Sequence, residues 1–230
     1  MSVMDAVRRV LRPYYKAAFP ASWAVRSYSQ EGEDILIGPL LEHIQAGFYV
    51  DVGCHHPYRF SNTYRLYRRG WSGLCIDPLP GVTEAFARAR PRDVVVAAGI
   101  SQEPGELEYV MFNEPALNTF DPALAEAQSA RPAYHVIQRK KVATLPLRDV
   151  LARHGVGQID FMTVDVEGLD LQVLASNDWQ RWRPRLVLAE SLSARLDTIF
   201  DDPLYRFMVV QGYAGVQKIG RNILFLLDEA

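Results

Sequence analysis

Disulfide bracing is the first thing this sequence does without. Its 230 residues include two cysteines, Cys54 and Cys75. Each sits inside a hydrophobic, strand-like run, so buried reduced thiols are expected, and with them a reducing, cytoplasmic compartment. No apolar run approaches the roughly 20 residues that cross a bilayer, and the start of the chain lacks a signal-peptide core and cleavage site. No transmembrane segment is therefore expected. A formal net charge of -2 supplies no global field for nucleic acid or anionic lipid and suits a neutral or small polar substrate. Repeats, low-complexity tracts and internal linkers are also missing, which leaves one elaborated domain, long enough to bury a core without disulfides or structural metal.

Residues 1–26 read as an N-terminal extension and residues 27–230 as the domain. Over Met1–Lys16, Val3, Val7, Val10, Leu11 and Tyr14 fall near one helical face, with Arg8, Arg9, Arg12 and Lys16 mostly elsewhere. Such a basic amphipathic helix either packs on the domain or touches a membrane surface or partner.

From Gly47 onward strand-like and helix-like segments alternate, as right-handed βαβ units around a parallel sheet require. Strands are predicted over Gly47–Gly53, Gly73–Asp77 and Val94–Ala98, with helices over Thr63–Arg69 and from Gly81 through Arg88. The rhythm lapses at about residues 104–141, where Glu106–Phe112 alternates like an exposed strand and the next stretch is interrupted by Pro115, Pro122 and Pro132. This reads as an insertion with partial helix, of the kind that forms a lid or substrate wall. The alternation is expected to resume with a strand at Lys140–Ala143, a helix at Leu147–His154, a strand at Ile159–Val164, a helix at Leu169–Asn177 and a strand at Arg185–Glu190. Near the end, a helix at Leu204–Gln211 precedes two strand-like runs, Tyr213–Ile219 and Asn222–Leu227. Only Gly220 and Arg221 separate them, which forces an antiparallel hairpin.

In doubly wound sheets ligands lie across the carboxyl ends of the strands, so residues just past the strands are informative. Asp51, with Gly53 two positions on, ends the first strand, and Asp77 ends the second. The glycine permits close backbone approach, and an acid at Asp77 suits the ribose hydroxyls of an adenosine. Both acids would also serve as helix caps or turn residues. A nicotinamide dinucleotide fits less well, because the turn Gly53-Cys-His-His-Pro-Tyr58 has one glycine and no phosphate cradle. S-adenosylmethionine carries no phosphate and suits that turn better. His55 and His56 are adjacent, so one is expected at the site and the other in the turn. His55 is the catalytic candidate of the two.

The chain also resembles a known family. Ser27-Tyr-Ser-Gln-Glu-Gly-Glu-Asp34, Gly47-Phe-Tyr-Val-Asp-Val-Gly53, His56-Pro-Tyr-Arg-Phe-Ser-Asn-Thr63, Gly70-Trp-Ser-Gly73, Ile76-Asp-Pro78, Leu117-Asn-Thr119 and Asp165-Val-Glu-Gly168 are similar, in order, to the motifs of FkbM-family methyltransferases. Cys54 stands where alanine is common in such sequences. The resemblance covers about Ser27 to Glu190. It implies an α/β, Rossmann-like class I methyltransferase fold, with a mostly parallel seven-stranded sheet and a C-terminal antiparallel hairpin. It implies S-adenosylmethionine as methyl donor and O-methylation of sugars, polyketides or related secondary metabolites. By the same resemblance, Gln30, Ser61, Asn62 and Thr63 hold the amino-acid end of the donor, and Ala98 to Ser101 lie near its adenine.

Methyl transfer from a sulfonium needs an aligned acceptor oxygen and help in removing its proton. Asp165 ends one strand and is expected to touch the donor as well, Glu167 comes two positions later, and Glu190 ends the next strand. Three carboxylates at adjoining strand ends repel one another. Either one gains general-base character through a raised pKa, or together they ligate a hard divalent ion such as magnesium. Glu167 would also suit the cap of the next helix. His43, His135 and His154 read as structural, Arg139-Lys-Lys141 as a solvated edge that would also suit an acidic acceptor, and Trp71, Trp179 and Trp182 as packing residues. The sequence therefore points to an O-methyltransferase acting on a sugar, glycan or glycosylated metabolite. A nicotinamide-dependent oxidoreductase and a non-catalytic binding protein on the same fold are the other readings.

Overall fold

The structure is a computed structural model that describes residues 24–192 and 195–228. The helix expected over Met1–Lys16 lies outside those residues. In chain order come α1 (Glu33–Leu40), β1 (Phe48–Val52), α2 (Tyr64–Arg68), β2 (Ser72–Ile76), α3 (Val82–Ala89), β3 (Val94–Val96), β4 (Gly99–Ile100) and β5 (Gly105–Phe112). After them come α4 (Pro122–Ser129), β6 (Val136–Leu145), α5 (Leu147–Arg153), β7 (Phe161–Val164), α6 (Asp170–Ala175), β8 (Leu186–Glu190), α7 (Pro203–Val210), β9 (Tyr213–Ile219) and β10 (Asn222–Leu227).

Seven strands form one sheet in the order β3-β2-β1-β7-β8-β10-β9. Its first five members are parallel, and β10 runs antiparallel to both neighbours. The final strand is therefore antiparallel, as expected, but it lies inside the sheet. The tight turn at Gly220–Arg221 folds β10 back into the gap between β8 and β9, which leaves β9 as the edge.

Alternating side chains send the strands' apolar residues to both faces of this sheet. Val50, Val52, Met162 and Val164 pack with α5, α6 and α7 on one face. Tyr49, Cys75, Phe161 and Leu188 pack with α1, α2 and α3 on the other. Trp71, Trp179 and Trp182 are buried in these layers, and both cysteines are buried and free. Two helices start on matching sequence signals: Asp121 and Asp202 each accept two amide hydrogens at the head of α4 and α7, with proline next in the chain.

The strand expected to resume the main sheet at Lys140–Ala143 does otherwise. It extends over β6 and pairs antiparallel with β5 and parallel with β4, in a separate three-stranded sheet. Its Arg139–Lys141 run is solvent-exposed, and Arg139 pairs with Glu108 on β5 at 2.6 Å. The strand pattern is legible there, but not its partner, because exposed β residues carry no signal of which sheet they extend. Likewise β3 stops at Val96, and the chain from Ala98 crosses to the small sheet.

The loop between β1 and α2 is tied to the fold by a residue that no sequence pattern singles out. Arg90, just past α3, is fully buried and paired with Asp93 at 2.6 Å, also fully buried. Its guanidinium donates to the Tyr49 hydroxyl at 2.8 Å, to Thr63 Oγ1 at 2.9 Å and to Ser61 Oγ at 3.2 Å. Asp93 also accepts from the Tyr49 hydroxyl and the Gly73 amide. Replacing Arg90 by methionine leaves the Asp93 charge buried and unpaired, so a loss of about 3–5 kcal/mol is expected. Urea titration of Arg90→Met checks this, and Asp93→Asn in the same chain should recover part of the loss.

Candidate active site

Because β2, β1, β7 and β8 lie side by side and point the same way, the residues that end them form one row at the carboxyl edge. Between β1 and β7 the strand order reverses, and a crevice at such a point is where an open α/β sheet binds its ligand. Gly53 makes the junction possible. At φ 84 its backbone passes so close to β7 that an added Cβ would lie 1.7 Å from the Asp165 carbonyl oxygen. Sequence alone assigns this glycine to ligand approach, and the structure shows strand-end against strand-end as well.

A cavity opens here, lined among others by Gln30, Gly53, His55, Asp77, Ala98, Asp165 and Glu167. Seven of the residues expected at the site thus line it together. Asp77 is held by amides: its carboxylate accepts from the backbone of His55 and of Leu79, each at 2.8 Å. Burial raises its pKa even so. His55 takes a left-handed conformation, φ 47. Burial, followed by the neighbouring Arg59 and His56, lowers its pKa to about 4, so it is neutral near pH 7. His56 holds the turn, its Nδ1 accepting from the amides of Tyr58 and Arg59.

Asp51, Ser61, Asn62 and Thr63 are not on the cavity wall. Thr63 donates to Asp51 at 2.5 Å, Ser61 and Thr63 accept from Arg90, and Asn62 donates to Thr163 Oγ1 at 3.1 Å. All four are buried. Their polar atoms bind the loop to the sheet, Ser61 and Thr63 by accepting from the buried guanidinium of Arg90 and Asn62 by donating to β7. Burial lifts Asp51 to about 6 in spite of Arg90 and Thr63.

A second, more polar compartment adjoins the first, sharing Gln30, Phe60, Ala116, Asp165 and Glu167 with it. Glu190, Arg221 and Asn222 line this outer space from the domain, and Gln128, Arg131 and Tyr134 line it from the insertion. His55 belongs to the inner cavity and not to the outer compartment.

Asp165, Glu167 and Glu190 each bring a carboxylate oxygen within 4.8 Å of the others. That spacing suits a shared proton, hydroxyl donors or a hard divalent ion. Burial, then the Asp165 charge, pushes Glu167 up to about 7, opposed by Arg221. Asp165 rises to about 6, through burial and then Glu33 and Asp51. Glu190 is raised by burial and by the acids at 165, 167 and 170. Glu167 does not cap the next helix. Asp170 holds that loop instead, accepting from the amides of Val166 and Gly168, while Glu167 sits at φ 55 with its carbonyl bound to Thr119.

Several wall residues have no assignment from sequence. Asn118 is visible inside Leu117-Asn-Thr119 but without a role; it lines the inner cavity with its Nδ2 buried and unpartnered. Arg59 and Glu114 form two hydrogen bonds of 2.8 Å that tie the β1 loop to the insertion. Only folding brings these distant segments together, so no local pattern marks the pair.

A seven-stranded sheet in this order, with acids along the carboxyl edge and one interior antiparallel strand, is the fold of a class I S-adenosylmethionine-dependent methyltransferase. The chain belongs to the FkbM methyltransferase family: the Methyltransferase FkbM domain matches residues 51–213. No curated protein matches it. Similar solved structures include a putative O-methyltransferase from Klebsiella pneumoniae, at 12% identity over 96% of this chain and 88% of that one, TM-score 0.46. A TehB-like SAM-dependent methyltransferase from Corynebacterium glutamicum aligns at 11% identity, 94% and 97% coverage, TM-score 0.44. The O-methyltransferase TomG from Streptomyces achromogenes, in complex with SAM, aligns at 12% identity, 97% and 90% coverage, TM-score 0.41. Likeness at this level carries nothing about residues or acceptors, and the assignment rests on the domain match.

The raised Glu167 has a consequence for stability. The folded chain keeps that proton to about pH 7, whereas the ordinary carboxyl loses it near 4.5. Stability from this source is full below pH 4.5 and is lost as pH rises through 7. The thermal midpoint of the ligand-free protein should therefore fall more steeply across that window in the wild type than in Glu167→Gln. Parallel curves would show that the carboxyl is not held in its neutral form.

Proposed function

We propose that the protein transfers the methyl group of S-adenosylmethionine to a hydroxyl of a sugar, glycan or glycosylated metabolite. The observation that carries this reading is the position of Glu167, a half-buried acid titrating near neutrality on the wall shared by the two compartments. The inner cavity takes the donor. Asp77 accepts from the ribose hydroxyls, Asn118 Nδ2 and the Ala98–Ile100 strip face the adenine, and Gln30 and Asp165 hold the amino-acid end and the sulfonium. Asp51, Ser61, Asn62 and Thr63 support the donor at one remove, by fixing the loop that carries His55 and Phe60.

The outer compartment takes the acceptor. Its wall of carboxylates, amides and guanidinium groups with two aromatic rings, Phe60 and Tyr134, suits a polyhydroxylated molecule. As the alcohol oxygen attacks the methyl carbon, the carbon–sulfur bond breaks with its electrons going to sulfur, and Glu167 takes the alcohol proton. Glu190 holds the acceptor beside it, and Arg221 moderates the charge of the three acids. His55, neutral and on the donor side, positions rather than transfers. A divalent ion held by Asp165, Glu167 and Glu190 is the competing way to activate the hydroxyl. Buried free thiols at Cys54 and Cys75 support action in the reducing cytoplasm. Among the described residues no helix is long and apolar enough to cross a membrane.

Calorimetry should show S-adenosylhomocysteine binding and no NAD binding; the reverse pattern would remove this reading in favour of an oxidoreductase. With labelled donor and hydroxyl-bearing probes, Glu167→Gln should lower kcat by about 10²–10⁴ while S-adenosylhomocysteine affinity stays the same. An undiminished rate would place the chemistry elsewhere, and a wild-type protein that binds donor but never turns over would be a binding protein. Turnover is expected to survive a chelator. Loss restored by magnesium would transfer proton removal to a metal-bound hydroxyl.

A further inference from the structure

The small net charge of the chain hides an uneven distribution. Residues 1–26 carry Arg8, Arg9, Arg12, Lys16 and Arg26 against one acid, Asp5, so the rest of the chain is net acidic. Where this basic segment meets the fold, more arginine awaits it. Arg65 and Arg68 of α2 and Arg69 at its cap stand three and four residues apart and share one helical face. Together with Arg26 they line one open groove. Arg65 is paired with the buried Asp34 at 3.3 Å. Arg69 donates to main-chain carbonyls of Leu41, Glu42 and Ile44, and Arg68 to the Tyr28 hydroxyl. Such neutral acceptors orient a guanidinium and leave its charge uncancelled. Among the described residues Glu42 is the one acid lining the groove, and no carboxylate pairs with Arg26, Arg68 or Arg69.

Arg26 and Tyr28 also line a second groove, with Tyr58, Arg59 and Phe60. Tyr64 meets Tyr28 and Tyr58 there edge to face, at 4.7 and 5.0 Å between ring centres. Tyr58 is 43% exposed, and Val25 on the first groove is 62% exposed. Arg59 and Phe60 line the outer compartment as well, so this basic and aromatic surface reaches that compartment's rim.

Residues 1–23 are a poor counterpart for the grooves, because their excess charge has the same sign. A nucleic acid and an anionic bilayer both offer the opposite sign, and the apolar residues decide between them. Val3, Val7, Val10 and Leu11 accompany the cations of the basic segment, and Val25 continues them. Aliphatic side chains gain little against phosphates, whereas the boundary between lipid headgroups and acyl chains takes guanidinium, tyrosine and aliphatic groups together.

We propose that this face docks on an anionic membrane surface: Arg26 and Arg68 meet the lipid headgroups, Val25 and Tyr58 enter the interface, and the rim of the outer compartment is held against the bilayer.

The test is co-sedimentation of the full chain with vesicles of phosphatidylcholine alone or with about 30% phosphatidylserine. The protein should bind the charged vesicles and not the neutral ones, and high salt should release it. Arg26→Glu combined with Arg68→Glu should weaken binding about tenfold or more, with a cooperative thermal transition as the check that the variant is folded. Arg26→Gln combined with Arg68→Gln should fall between that variant and the wild type. Equal binding to both vesicle types, binding to neither, or undiminished affinity in the two double variants overturns the proposal. So does tighter binding, at the same salt, of a single-stranded oligonucleotide than of the charged vesicles. None of these readouts involves turnover, so their failure leaves the methyl-transfer reading intact.

Discussion

The absence of a side chain at Gly53 is the constraint on which the site depends. The Asp165 carbonyl stands where a Cβ would be, so the ends of β1 and β7 close on each other at the reversal of strand order. From that contact, parallel pairing carries the arrangement outward. Asp77 lies beside the β1 end on one side, and Asp165 and then Glu190 come next on the other. A row of acids that the sequence spreads over more than a hundred positions becomes one edge of one crevice.

The molecule treats its buried charges in two opposite ways. Behind the sheet, Arg90 and Asp93 are out of water but fully engaged, with each other and with Tyr49, Ser61, Thr63 and Gly73. At the front, Asp165, Glu167 and Glu190 have one arginine nearby, Arg221, with its guanidinium 4.0 Å from Glu190, and oxygens with no partner. The first arrangement satisfies every group and fixes a loop. The second leaves carboxyls poised between protonation states, which costs stability and suits proton transfer. The β1–α2 loop joins the two, since its polar residues face Arg90 while His55 and Phe60 face the cavity.

The region between β4 and α5 adds the outer wall. It has its own small sheet and its own apolar cluster of Val110, Phe112 and Ala125, so its shape does not depend on the main core alone. It meets the domain through Arg59–Glu114 and through Thr119 on the Glu167 carbonyl. The second contact fastens the insertion directly to the loop that carries Glu167, so the outer wall and that acid are positioned together.

By itself the sequence determined the sheet, its hairpin and the acids that end its strands. Alternation, chain punctuation and strand-end residues are local properties set by backbone geometry. His55 and His56 fall in one turn of the sequence, and folding puts the first on the inner cavity wall and the Nδ1 of the second under the turn's amides. Tertiary structure decided the rest. Asp51, Ser61, Asn62 and Thr63 look like ligand residues in one dimension, and they turn inward: Ser61 and Thr63 to the buried guanidinium of Arg90, Asp51 to Thr63, and Asn62 to Thr163. Strand β6 left the main sheet for β5 because edge pairing depends on neighbours and not on its own residues. The outer compartment, with Arg131 brought from the insertion and Arg221 from the turn between β9 and β10, exists only after folding, since the side chains that line it come from segments whose sequences are independent of one another.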